Sequence, residues 1–280
     1  MGRLFKAFLF RISKDLAFRI TLIIGAGLAV LTTATYLLLQ FLLADSDLEG
    51  MKFLTGHGML IESMSPAQNF GLAVPINLIT FTCLEFSQGT IRNKIIGGHS
   101  KAKVYLSLFL SGLIYAFLLL GSYILVCTAL GSIFGGFNLN DPVLGLSSGL
   151  IPIIYSPEFI LKMLVSFVFV YVSIVAFTIF FTTLFRSIGP CIPLVLLTII
   201  IVYLAASFLG PLFQALENDT AVIIVKIVDP LYNMAVYDVD DNYVANIDNL
   251  TFIIGILSNL VYAGIFFTAG LAIFRKRDVK

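Results

Sequence analysis

Apolar residues in this chain come in long unbroken runs, not in alternation. Six runs approach the roughly 20 residues a helix needs to cross a hydrocarbon layer about 30 Å thick: residues 20–43, 70–86, 104–134, 159–185, 188–213 and 251–274. The pattern predicts six transmembrane helices. The second is the shortest, and Pro75 near its start leaves its outer boundary open. The third is long for one straight span, so it either tilts or ends near Gly131 and continues as an interfacial segment through Gly135 and Gly136. Only Arg186-Ser187 divides the fourth run from the fifth, with Gly189-Pro190 just beyond. That punctuation predicts a tight helical hairpin, with one long kinked helix as the competing reading.

The period changes before the first run. Phe5, Leu9, Ile12, Leu16 and Ile20 fall in one narrow stripe of a 3.6-residue helix, while Lys6, Arg11 and Lys14 lie on the other side. Residues 1–19 are therefore expected to form an amphipathic helix in the membrane interface, apolar residues among acyl chains and bases among anionic headgroups. A signal peptide is the rival reading, but a signal core has about 7–15 apolar residues, and the run over 20–43 is far longer. Between the last two spans, residues 215–250 hold an apolar stretch, 222–228, that is too short to cross. It reads as an interfacial or re-entrant helix ended by Asp229-Pro230, or else as a packed loop. The first outer loop, 44–69, is modest in size.

Composition agrees with the runs. The chain is 59% hydrophobic and only 12% charged, against about 45–50% and about 25% in soluble domains; so little polar surface could not coat a globule against water. A net charge of +1 gives no basic balance and no case for nucleic acid. Cys83, Cys127 and Cys191 all sit in apolar runs without a CxxC pair, which reads as packing. His57 and His99 stand apart, with no metal-ligand spacing.

Charge position orients the spans. Lys and Arg gather at Arg3, Lys6, Arg11, Lys14 and Arg19, at Arg92, Lys94, Lys101 and Lys103, at Arg186, and at Arg275, Lys276, Arg277 and Lys280; only Lys52, Lys162 and Lys226 fall toward the other side. Cytoplasmic loops carry the excess of Lys and Arg. The expectation is a multi-pass plasma-membrane protein, of a bacterial cell membrane, with both termini cytoplasmic. Asp45, Asp47, Glu49, Asp238, Asp240, Asp241 and Asp248 would all lie outside.

The gap between the second and third spans, residues 87–103, carries the functional signal. From Glu85 it reads EFSQGTIRNKIIGGHSKAK. Thr90 is a candidate cap for a short helix, on which Ile91, Ile95 and Ile96 would share a face while Arg92, Asn93 and Lys94 point elsewhere. Gly97-Gly98 would end it. Three isoleucines in a basic loop press against something, either a partner protein or the membrane surface. Glu85, near the end of an apolar span, is costly unless paired or wetted. An ion pair at a gate, solvation among headgroups and a proton relay are its three readings. Arg92 would reach it only if the helix continued through Gly89; an Arg or Lys of the N-terminal helix is the other candidate partner.

Glu85, Gly89, Thr90, Ile91, Arg92, Lys94, Ser100 and Lys101 together resemble the pattern of the ABC-2 type permeases, the membrane subunits of a class of ATP-binding-cassette transporters, mostly exporters. The motif covers under a tenth of the chain; six spans, cytoplasmic termini, an amphipathic N-terminal helix and a large last outer loop extend the likeness to nearly all of it. The resemblance implies an all-α integral membrane protein of type V exporter-like architecture, six transmembrane helices preceded by the interfacial helix. It implies that the stretch, Ile95 included, is a coupling helix seated in a cleft of the ATPase subunit. It also implies a dimer with a second copy or a related permease, two ATPase subunits, and a route lined by spans two and five. The small first outer loop departs from relatives with a bulky outer domain.

No GxxxxGK[ST] or HExxH sequence occurs in the chain. No catalysis is expected on this chain and no cofactor of its own; ATP and Mg would belong to the partner ATPase. Asn77, Tyr203 and Asn259 are the intramembrane polar residues that would line a path, although such residues also bond helix to helix. A scaffold or sensor-partner subunit is the second functional reading. An ion-coupled carrier is the third, disfavoured by the lack of internal repeats and of buried Asp, Glu or His across the membrane.

Overall fold

The computed structural model describes residues 2–42, 54–64, 70–139, 142–144, 152–216, 219–228, 238–239 and 243–277. Its helices are α1 (Gly2–Lys14), α2 (Leu16–Leu42), α3 (Gly56–Met64), α4 (Ala73–Ser87, entered through a 3-10 turn at Phe70–Leu72), α5 (Thr90–Ile96), α6 (Lys101–Gly135), α7 (Pro157–Phe185), α8 (Ile188–Ala215), α9 (Asp219–Val228) and α10 (Asn249–Lys276). Among the described residues, α2, α6, α7, α8 and α10 are long and apolar enough to cross a membrane. The chain is thus a helical protein of multi-pass membrane character. The expected second span is α4, an apolar helix of 15 residues. At 1.5 Å per residue it is about 22 Å long, short of the roughly 30 Å hydrocarbon layer.

Helices α6 and α7 form the middle of the bundle: α7 packs most extensively on α10, and α6 on α3 and α2. Tyr105 and Tyr115 of α6 and Tyr171 of α7 are among the largest fully buried side chains. Aromatic contacts extend this core. Tyr115 lies 4.8 Å from Phe18 and 5.4 Å from Phe81, ring centre to ring centre, and Tyr105 lies 5.6 Å from Phe274. The break after α7 is a turn: Arg186 takes φ 54°, a left-handed end to the helix. Helix α8 then folds back, its Cys191 Sγ 3.5 Å from the Phe181 carbonyl. The hairpin expected at this site is present.

Helix α6 passes Gly131 without interruption and ends at Gly135, where Gly136 caps it with φ 78°, so of the two readings the one that ended the helix near Gly131 is not realised. Gly131 and Gly135 serve close packing instead. A Cβ at Gly131 would lie 2.9 Å from the Thr55 carbonyl oxygen and 2.7 Å from Met59 Cγ, and one at Gly135 would collide with the Leu54 carbonyl. Backbone against backbone, α3 is held on the end of α6. The loop that looked merely modest in sequence therefore contributes a buried helix. Beside it, the segments before α7 and before α10 join in a small sheet of β1 (Val143–Leu144), β2 (Pro152–Tyr155), β3 (Asp238–Val239) and β4 (Val244–Asn246), in the order β1-β2-β4-β3. The β2–β4 pairing is parallel and the other two are antiparallel. Strands of two to four residues give no alternation long enough to read from sequence. The expected helix over 222–228 is α9, although Asp229-Pro230 lies outside the described residues.

Candidate functional site

At the other end of the bundle, α1, α4 and α5 meet around one carboxylate. Glu85 sits in the last turn of α4 and is 0% exposed. Arg11 Nε of α1 lies 3.0 Å from its Oε1, and Lys94 Nζ of α5 lies 2.9 Å from its Oε2. The Thr90 hydroxyl, 2.8 Å from both the Glu85 carbonyl oxygen and Oε2, closes the turn between α4 and α5. Arg11 also bonds Gln88 through Nη2. Under the joint, the Phe8 ring of α1 lies 3.2 Å from Lys94 Nζ, a cation–π contact. Three helices are thus tied by one acid and two bases. Burial lowers the pKa of the Lys94 ammonium; Glu85 counters that shift, and the Arg11 charge adds to it.

Local chemistry explains the geometry. Gly89 takes φ +67° with open space around its α-carbon, so α4 ends there and α5 starts in a new direction. Gly89, not Thr90, occupies the N-cap position. Thr90 has the different task of bonding Glu85. Because α4 stops, Arg92 does not come back to Glu85; it is exposed on α5. The partner from the N-terminal helix is the correct alternative, and Lys94 is a second that sequence reasoning did not pair with Glu85.

The remaining motif residues divide by role. Ile91 is fully buried, Ile95 is half-buried against the core, and Ile96 alone is 71% exposed. The three isoleucines therefore do not form one presented face, and two of them are accounted for inside this chain. Ser100 caps α6, accepting from the Lys103 amide at 3.4 Å. Lys101 Nζ donates to the Arg275 and Arg277 carbonyls at 3.1 and 3.0 Å, a cation on the open end of α10. Arg92, Asn93 and Ile96 are left as the exposed side chains of α5.

The N-terminal stripe needs correction. The chain breaks at Asp15, between α1 and α2, so Leu16 and Ile20 are not in phase with Ile12. The buried pair on α1 is Phe8 and Ile12, while Leu16 and Ile20 are exposed on α2. Phe8, one turn from Ile12, was outside the expected stripe; the side chain of Phe5 lies outside the described residues. Helix α1 thus uses its apolar side against the protein.

Of the expected path residues, Asn77 and Asn259 are buried and bonded between helices. Thr21 Oγ1 of α2 donates to Asn77 Oδ1 at 2.7 Å, and Asn77 Nδ2 donates to the Ala73 carbonyl at 2.8 Å. Ser173 of α7 donates to Asn259 Oδ1 at 2.7 Å, and Asn259 Nδ2 donates to the Gly255 carbonyl at 2.8 Å. Tyr203 belongs to α8, but its side chain lies outside the described residues. For such interhelical bonds the typical worth is about 0.6 kcal/mol. A double-mutant cycle of Thr21→Val with Asn77→Leu, read by unfolding in detergent, is expected to give a coupling near that size; zero coupling would contradict the bond. Cys83, Cys127 and Cys191 are all buried, and the described residues hold no cluster of three or more metal-ligating side chains.

Comparison with protein-family models, with curated proteins and with solved structures finds no match to this chain.

Proposed function

We propose that this chain is the membrane subunit of an ATP-driven transporter of the ABC-2 type, most naturally an exporter, with α5 as the element that takes force from a separate ATPase. The observation that carries the reading is the Glu85 joint. A short helix meant to transmit force must be exposed on one side and fixed on the other. Helix α5 has Arg92, Asn93 and Ile96 exposed. Behind them, Lys94 and Thr90 bind Glu85 of α4, and Ile91 is buried. A push on α5 would pass to α4 and α1 together.

Helix α4 would carry the motion onward, since its Ile79 and Cys83 form one buried cluster with Cys191 and Val195 of α8. These are spans two and five, the pair that would open and close a route between two permease subunits. The charge distribution supports a cytoplasmic placement of α1, α5 and the end of α10. The absence of a phosphate-cradling loop in the sequence fits a motor on another polypeptide. The bonded state of Asn77 and Asn259 favours the scaffold reading to the extent that it removes two candidates for a polar path.

One variant tests the assignment. Arg92→Glu reverses an exposed charge that takes no part in the joint, so folding and membrane insertion should be unchanged. In a reconstituted complex with the co-purifying ATPase, substrate-stimulated ATP hydrolysis is expected to fall about tenfold or more, as when a charge pair at an interface is reversed. Lys94→Glu is the poorer test, because it places a second acid against Glu85. If no ATPase accompanies the chain, or if Arg92→Glu leaves stimulation intact, α5 is not a coupling helix. A chain that holds an ATPase but moves no solute across a vesicle membrane would be the scaffold.

A further inference from the structure

We propose that the cleft between α1, the start of α2 and the end of α4 binds the headgroup of an anionic phospholipid, whose acyl chain lies along α2. The cleft measures about 290 Å³, at the small end of the ~300–1,000 Å³ range of ligand sites: room for a headgroup and not for a whole lipid. Its polar side is Arg11, Lys14, Asp15 and Gln88; its apolar side is Leu16, Phe81 and Leu84. A polar wall facing an apolar one suits an amphiphile.

The sign of the charge follows from what each polar group already does. Asp15 Oδ1 accepts from the Ala17 amide at 3.2 Å, and the Tyr115 hydroxyl lies 3.5 Å from Oδ2, so the carboxylate is engaged with the start of α2 and with the core. Arg11 meets Glu85 through Nε and Gln88 through Nη2. Lys14 is exposed, lies 5.8 Å from the Phe10 ring centre, and forms no ion pair with a described carboxylate. The cleft therefore offers cationic character in excess of acid, which fits a phosphate.

Its shape is set by the fold. Arg19 Nε and Nη2 donate to the Ser13 carbonyl at 3.2 and 3.1 Å, holding the turn from α1 to α2 across the break at Asp15. Above the cleft, Leu16, Ile20, Ile23, Ile24 and Leu31 are all exposed, and their spacing puts them on one face of α2. That track starts at the mouth of the cleft, and it selects a lipid over free phosphate. The occupant would rest against Arg11 and so brace the Glu85 joint.

The experiment is native mass spectrometry of the purified full-length chain titrated with phosphatidylglycerol, with phosphatidylcholine and with inorganic phosphate. Phosphatidylglycerol is expected to bind at least about fivefold more tightly than phosphatidylcholine, the factor that ~1 kcal/mol per base at an anionic surface produces. Lys14→Glu should remove that preference, while Lys6→Glu, an equal charge change on α1 away from the cleft, should leave it within about twofold. Leu84→Trp, which fills the cleft without altering charge, should also remove it. Equal losses in the Lys14 and Lys6 variants would mean general surface attraction and overturn the site. Inorganic phosphate competing at the same concentration as the lipid would overturn the acyl track, and equal binding of both lipids would overturn the anionic assignment. No ATPase enters the assay, so its outcome is independent of the transport reading.

Discussion

Replacing Glu85 with alanine is expected to destabilise the protein by about 3 kcal/mol and to free α1 and α5 from α4. Breaking a buried ion pair from one side typically costs ~3–5 kcal/mol, because the partner is left buried and uncompensated. The lower figure applies because the two partners are not sealed: the Arg11 side chain is 29% exposed and that of Lys94 17%, so each has a path to water. The Thr90 hydroxyl bond to Oε2 goes as well. Glu85→Gln keeps the shape and a carbonyl acceptor for Thr90 and Lys94. It turns an amide N–H toward Arg11 Nε, however, and leaves both bases without a counter-charge, so it should recover only part of that loss. The measurement is the thermal midpoint of the purified chain in detergent, joined to limited proteolysis within α1. Wild-type midpoint and wild-type protection in Glu85→Ala would mean that the carboxylate ties nothing together. Because the joint also underlies the proposed coupling, this stability readout separates loss of the joint from loss of contact with an ATPase, which Arg92→Glu addresses alone.

Gly135→Ala is expected to cost about 3 kcal/mol, at the upper end of the ~1–3 kcal/mol typical of overpacking. The added methyl meets the backbone carbonyl of Leu54 and the Thr55 Cα at 3.0 Å, and a backbone cannot turn away as a flexible side chain can. Gly121, in the same helix, is the internal comparison, since a Cβ there meets nothing within 4 Å. Gly121→Ala should be neutral or stabilising by up to about 1 kcal/mol through helix propensity alone. The pair of variants, compared by thermal midpoint, tests the docking of α3 directly. Equal midpoints would mean that α3 does not lie on α6. Strain at Gly135 is expected to raise accessibility at the α3 end of the bundle while leaving the Glu85 joint unaltered.

The two ends of the molecule differ in how legible they were. The Glu85 neighbourhood was half legible. The cost of a carboxylate at the end of an apolar run pointed to a partner, and a base on the N-terminal helix was one of two candidates. Arg92 was the misleading one, because its exclusion depends on the φ +67° of Gly89, which a glycine in sequence permits without requiring. Lys94 lay in plain view as a motif residue, but its pairing requires α5 to double back on α4. At the α3 end, Gly131 read as a candidate helix end and Gly135 as part of an interfacial continuation. A glycine that breaks a helix and a glycine that admits a neighbour look the same in one dimension; the approach of Leu54 and Thr55 separates them.

What the chain determined by itself is its solvent and its long elements. Runs of apolar residues with so few charges have only one stable disposition, helices whose backbone bonds are satisfied internally. For that reason the runs correspond to α2, α6, α7, α8 and α10, and the break at Arg186-Ser187 lies where expected. Tertiary structure alone decided which polar groups meet. Arg11 and Glu85 lie far apart in the chain, the Thr21–Asn77 and Ser173–Asn259 bonds join separate helices, and β2 pairs with β4 across three intervening helices. Local pattern sets the conformation of a segment, but the free energy of a buried charge or amide depends on what the rest of the fold places beside it.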